Sequence, residues 1–201
     1  MHSSFAGGTD TVRESTHGRP SGLFVDVPYA TRTAPGGETA TMASADVITQ
    51  ALQRIPYGLY VVGSLHDGVP ATMIANWVSQ VSFHPPCVAI AVEHDSKMRG
   101  YVESSGFFCV NILPAGSTET AKAFLKSPEA TGGKIGGREF VSALHGTPFL
   151  KDAGAAFECR VTTTHVTGDH LLIIGEVMDA VVRSEGDAVL TLRETGWRYR
   201  K

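Results

Sequence analysis

The spacing of apolar positions changes along the chain from threes and fours to twos, and that change predicts the elements. Over residues 44–54, Val47, Ile48, Ala51 and Leu52 recur as one buried helical face. Ser44 stands as the cap, Asp46 lies in the first turn and Pro56 stops the helix. Shorter apolar runs follow. Residues 57–64 and 69–77 read as a hairpin turned at His66-Asp67-Gly68, and 87–93 as a strand buried on both faces. Further strands are predicted over 107–113, 155–164, 170–182 (interrupted by Gly175) and 188–193, with a turn at Thr167-Gly168-Asp169. Short helices are predicted over 97–104 and, capped by Ser117, over 118–125. The strands come in runs joined by hairpin signals rather than alternating with helices. That predicts a mainly β chain, an antiparallel barrel or sandwich with peripheral helices.

Two stretches fall outside this pattern. Residues 1–43 hold many Gly, Pro, Ser and Thr around one apolar island, Leu23-Phe24-Val25, and read as a flexible arm ahead of a domain over 44–201. Residues 127–138 carry Gly132-Gly133 and Gly136-Gly137 and read as a mobile loop that orders around a ligand or partner.

The stretch 67–111 breaks its own pattern. The apolar run 70–78, PATMIANWV, carries Asn76 and Trp77 where a core strand would carry aliphatics, then passes through Ser79 and Gln80 to Pro85-Pro86. Buried amides and hydroxyls must find partners or cost free energy. The stretch is therefore either a well-satisfied core or the wall of a site for a flat, polar ligand. The loop Glu93-His94-Asp95-Ser96-Lys97 and nearby Arg99 add hydroxyl and cationic groups suited to a phosphate.

Composition narrows the classes. The 201 residues are 42% hydrophobic and 18% charged, enough for one domain with a real core. The net charge of −3 is spread without a basic block, which argues against a nucleic-acid partner. No apolar run approaches the roughly 18 residues of a membrane span. The first residues, MHSSFAGGTDTVRES, lack the order of a secretory signal. Cys87, Cys109 and Cys159, an odd count in apolar contexts, read as free thiols of a reducing compartment, so a cytoplasmic location is expected. There is no GxxxxGK[ST], no strand-to-helix GxGxxG and no GxSxG elbow. With no CxxC and with His145, His165 and His170 spread over separate elements, no metal site is expected.

Several segments together carry a resemblance: 55–62 (IPYGLYVV), ATMIANWVSQVSFHPP, CVAIAVEHDSK, SGFFCVNIL and, later, ECRVTTTHVTGDHLLIIGEV. Over about residues 45–200 the chain resembles the flavin reductase-like, FMN-binding split-barrel family, and also the flavin reductase module of some flavodiiron proteins. The resemblance implies an antiparallel split β-barrel that passes hydride from NADH or NADPH to FMN or FAD. It further implies a homodimer with flavin near the subunit interface, and reduced flavin delivered to a partner monooxygenase. Met73, Ile74, Ala75, Asn76 and Trp77 would run beside the isoalloxazine with backbone amides toward its polar edge, extended by Ser79 and Gln80. Glu93, Asp95, Ser96 and Lys97 would form the loop that holds ribityl and phosphate. Asn111 would stand on the next strand, as a site residue or as a satisfied core amide. His170, in the GDH sequence, would position the nicotinamide or supply a proton, or else be a turn histidine bonded to Asp169. Trp197 and Tyr199 would lie against the flavin or the partner subunit, or staple the core. Two alternatives stay open: an electron carrier that keeps its FMN, and a split-barrel module without redox function.

Overall fold

The computed structural model describes residues 43–184, 186 and 188–197. The arm over 1–43 and Tyr199 lie, but for residue 43, outside the described residues. Eleven strands and four helices follow one another among those described. They run α1 (Ala45–Leu52), β1 (Tyr60–His66), β2 (Val69–Ala75), β3 (Val78–Phe83), β4 (Pro86–Glu93) and α2 (Lys97–Ser105), then β5 (Phe107–Ile112) and α3 (Thr118–Lys122). After them come β6 (Ala130–Thr131), β7 (Lys134–Ile135), β8 (Arg138–Ser142), β9 (Pro148–Leu150), β10 (Ala155–Thr167), β11 (His170–Val182) and α4 (Leu192–Thr195).

Seven strands form one antiparallel sheet in the order β2-β1-β5-β10-β11-β4-β3. Its two terminal strands, β2 and β3, are joined by Asn76 and Trp77 alone. Laid flat, six strand spacings would hold those edges roughly 29 Å apart. The link spans at most about 11 Å. The sheet must therefore curl until its edges approach, which makes it a barrel. Pattern agrees with this. Val88, Ile90 and Val92 of β4 and Leu171 and Ile173 of β11 point inward with Val62, Phe108 and Val110. The intervening residues face out. A second core, with Leu59, Val61, Leu113, Phe124, Ile135, Leu150 and Leu190, lies on the other face of β1. The small sheet β6-β7-β8-β9 adds to it.

A buried polar layer binds that small sheet to the barrel. Glu158, fully buried, accepts bonds from the backbone N–H of His145 and Thr147 and from Thr147 Oγ1 at 2.6 Å, and lies 2.7 Å from His145 Nδ1. The Asn111 amide is likewise matched within the core, as described below.

Some predicted elements differ. The apolar stripe of α1 is not buried: Val47, Ile48 and Leu52 are about half exposed. Periodicity identifies a face but not what covers it. Ser117 makes no side-chain cap, and α3 ends at Lys122 rather than 125. The glycine-rich segment is a meander rather than a mobile loop. Gly132-Gly133 and Gly136-Gly137 take positive φ in two tight turns, the φ signs of mirror-type hairpins. Gly175 does not interrupt β11. A Cβ there would come within 2.8 Å of Phe108 and Cys159 side-chain atoms, so glycine lets the barrel wall close. Residues 188–193 form isolated bridges and the start of α4, not a strand.

Candidate functional site

The bend between β2 and β3 sets the site. A chain that must cross from one sheet edge to the other cannot continue its ladder, so Asn76 and Trp77 leave the pairing there. One contact ties the bend to its neighbour: Ala91 N donates to Trp77 O at 3.1 Å. Below it lies a cleft of about 370 Å³, a size suited to a cofactor ring system. Its floor is Ala89, Ala91 and Leu172 on the outward face of β4 and β11. Its walls are Asn76, Trp77 and Ser79 on one side and the segment 55–60 on the other. Small floor residues let a flat body approach the sheet. Burial pushes the Tyr60 phenol above its ordinary range, so the wall there is neutral.

One atom in this cleft is anomalous. Asn76 Nδ2 is buried and has no hydrogen-bond partner among the described residues. Leaving a buried amide donor unmatched costs about 1–3 kcal/mol. The backbone adds to it. β2 is a sheet edge, and Thr72 N–H points outward to Pro128 O at 3.0 Å. Alternation along a strand turns the N–H groups of Ile74 and Asn76 the same way. The residues present therefore fit a flat ligand with acceptors along one edge, which is the character of an isoalloxazine.

His170 closes one end. It begins β11 opposite Glu93 at the end of β4, is 4% exposed, and stacks obliquely on Trp77 with ring centroids 4.5 Å apart. Its Nδ1 is hydrogen-bonded to Asp169 Oδ1. The loop 94–96 adjoins through His94 N, which donates to Asp169 O. Ser96 caps α2 by accepting from Met98 N at 3.2 Å, and its hydroxyl is directed at Met73 Sδ, 3.9 Å away.

The fold thus brings Asn76, Trp77, Ser79, Glu93 and His170 to one corner and links it to Ser96 through Met73. Asp95 and Lys97 are exposed beside the start of α2. Met73 and Ile74 turn their side chains to the two cores, and Ala75 is buried, so in these three the backbone faces the edge. Gln80 lines a different groove, on the far side of Ser79. Arg99 is engaged by Glu103 at 3.2 Å and by His94 O. Asn111 is the correction. It is fully buried; Nδ2 donates to Val61 O and Pro148 O, and Leu150 N donates to Oδ1 at 2.8 Å. A side chain so occupied has nothing to offer a ligand. Trp197 packs on the second core rather than in the cleft. The floor escaped notice in the sequence, although alanines at 89 and 91, alternating with Val88, Ile90 and Val92, were its signal. Among the described residues no group of three or more His, Cys, Asp or Glu is placed to hold a metal ion, and no helix is long and apolar enough to cross a membrane.

Comparison with known proteins places the chain in a family. Residues 52–198 match the family described as flavin reductase like domain. A Synechocystis protein named diflavin flavoprotein A 1 is 32% identical over 76% of this chain, which spans only 27% of that protein's length. A Pseudomonas putida flavin reductase is 27% identical over 76% of this chain and 94% of its own. The solved structure of Streptomyces globisporus NADH:FAD oxidoreductase SgcE6, in complex with NAD and FAD fragments, superposes with a TM-score of 0.65. It is 25% identical and covers 81% of this chain and 96% of its own.

Proposed function

The chain belongs to the flavin reductase like domain family, and from that premise we propose that it is a flavin reductase, which binds FMN or FAD in the cleft at Asn76 and reduces it with NADH or NADPH. The observation that carries the placement is the buried, unmatched Asn76 amide in a cleft floored by Ala89 and Ala91. When bound, flavin supplies the hydride acceptor, its N5, so no protein nucleophile is needed.

The chain's own work is positioning. Asn76 Nδ2 and the outward N–H groups of Ile74 and Asn76 hold the polar edge of the ring, and donors there stabilise the negative charge that reduction builds. Met73, Ala75 and Trp77 keep that edge rigid, and Ser79 extends the wall toward Gln80. Ser96 and Lys97, at the N-terminus of α2, receive the phosphate, favoured by the dipole of that helix end. Glu93 and Asp95 shape the loop. His170, oriented by Asp169, sits on Trp77 where it can align the nicotinamide or hold a proton beside the flavin.

Reduced flavin then leaves for a partner monooxygenase, and the chain works as a homodimer in the cytoplasm, with residues 44–201 carrying the function apart from the arm over 1–43. A second reading has one observation behind it. The match to a quarter of a diflavin flavoprotein favours a module that keeps its FMN and passes electrons on. Purified protein mixed with excess free FMN or FAD and NADH or NADPH separates them. Steady oxidation of the nicotinamide supports the reductase; a single reduction of bound flavin without exchange supports the carrier; a colourless protein inert to both sinks both. Within the first reading, His170→Ala is expected to slow flavin reduction by about 100-fold while flavin affinity changes little. Loss of binding with unchanged reduction in the residual holoprotein would remove His170 from this role.

A further inference from the structure

Outside the cleft, a second set of rings lies beyond the start of α2. His66 ends β1 and stacks on Tyr101 of α2, with ring centroids 4.4 Å apart and planes 19° from parallel. Glu129 pins the pair: Tyr101 donates to its Oε1 at 3.2 Å, and His66 Nδ1 lies 3.2 Å from the same oxygen. Glu129 is itself held at the edge of β2 by its bridge to Ala71 and by Pro128 O, which accepts from Thr72. The cluster is not buried. The His66 and Glu129 side chains are each 43% exposed, and Val69, opposite His66 in register, is also exposed. Val69, His66 and Tyr101 thus form an apolar and aromatic shelf open to solvent. The carboxylates of Glu129 and Asp67 stand at its rim.

We propose that this shelf receives the adenine of a bound dinucleotide, which makes FAD rather than FMN the preferred flavin. The proposal rests on the flavin reductase reading and names the substrate of that site. Three observations support it.

The first is place. Val62, Ser64 and His66 of β1 share one face with Met73, Ala71 and Val69 of β2, and α2 covers that face. Ser96, at the phosphate end, is directed at Met73, and Val69 lies four residues along β2, about 13 Å away. On α2, Tyr101 follows Lys97 by one turn on the same side of the helix. A second phosphate and a ribose bridge that gap, so an adenine joined to the flavin's phosphate arrives over the rings. FMN ends short of them.

The second is shape. A flat base stacks on an aromatic face whatever its sequence of substituents, and Val69 widens the surface on which it lies. The third is polarity. Both bonds inside the cluster end on Glu129 Oε1, which leaves Oε2 to accept from the exocyclic amine of adenine. Carboxylates at the rim repel a phosphate, so the shelf suits the base end of a nucleotide, while Lys97 stands at the other end.

NADH carries the same adenosine. Continuity with the flavin's phosphate assigns the shelf to FAD, and the test separates the two. It is fluorescence titration of the full chain with FMN and with FAD, together with KM for NADH at saturating FMN. Far-UV circular dichroism confirms folding of each variant. The wild type is expected to bind FAD about tenfold more tightly than FMN. His66→Ala should bring FAD down to the level of FMN, with little change in FMN affinity or in KM for NADH. His66→Phe, which keeps a ring, should keep the preference. Tyr101→Leu attacks the same stack from α2 and should also abolish the preference, so a misfolded His66→Ala does not end the test. Equal affinity of the wild type for FMN and FAD overturns the proposal and leaves the reductase reading standing. Equal loss of both flavins in His66→Ala marks a structural staple and overturns the adenine site. A raised KM for NADH with the FAD preference intact gives the shelf to the nicotinamide dinucleotide and overturns the assignment to FAD. A protein that binds neither flavin overturns the reductase reading and this proposal with it.

Discussion

Asn76 and Asn111 are two amides in apolar stretches of the barrel, one in the link between β2 and β3 and one on β5, and the structure treats them in opposite ways. Asn111 sits under the small sheet with both ends of its amide matched by backbone groups from β1 and β9. Asn76 sits at the barrel corner with a buried Nδ2 matched by nothing described. A polar group that folding has satisfied stabilises the fold; one that folding has left unmatched lowers stability until a ligand meets it. The contrast separates a structural amide from the one proposed to bind.

The sharpest way to break the contrast is Asn111→Ala. It strips partners from Val61 O, Pro148 O and Leu150 N at once, and the expected loss is about 2–3 kcal/mol, or roughly 5–10 °C in Tm. Flavin affinity of the folded fraction should not change. Calorimetry with flavin titration checks both, and a large affinity loss with normal stability would put Asn111 back in the site. Next is Asn76→Leu. It removes the orphan donor at similar volume, so stability should hold or rise slightly, while flavin binding weakens by about tenfold. A destabilised variant with normal binding would show that an interior partner holds Asn76 after all. The smallest effect concerns two buried thiols, Cys109 beside Asn111 and Cys159 in the barrel core. Burial pushes Cys109 and Cys159 up to about 12 from 9.0. Both then stay protonated when folded, while the unfolded chain ionises above about pH 9. Their contribution to stability is complete below pH 9 and is lost as pH rises toward 12, so Tm should decline across that window. Native protein at pH 8 should leave both unreactive to a thiol reagent that modifies all three cysteines in denaturant. Rapid labelling of either would contradict the burial.

Much of the barrel could be read from the chain. The hairpin at Asp67-Gly68, the inward alternation of β4 and β11 and the turn at Gly168-Asp169 all follow from local rules of period and turn chemistry. The readings that failed share a cause. The stripe of α1, the glycine pairs over 132–137, Gly175 and the last apolar run each depend on what lies opposite, which local pattern does not contain. The family motifs pointed to several residues that the fold gathers at one corner. They could not show that Ala89, Ala91 and Leu172 make its floor, because those residues meet the 55–60 segment only once the sheet has curled.

By itself the sequence determined the strands, their turns and the short list of polar residues that a core would not ordinarily carry, since these obey interactions between near neighbours. Only the tertiary structure decided which of those polar residues were already paired. Hydrogen-bond satisfaction is a property of groups brought together from distant parts of the chain: Asn111 finds Pro148 and Leu150 almost forty residues away, and Asn76 Nδ2, at the corner where two sheet edges meet, finds no partner among the described residues.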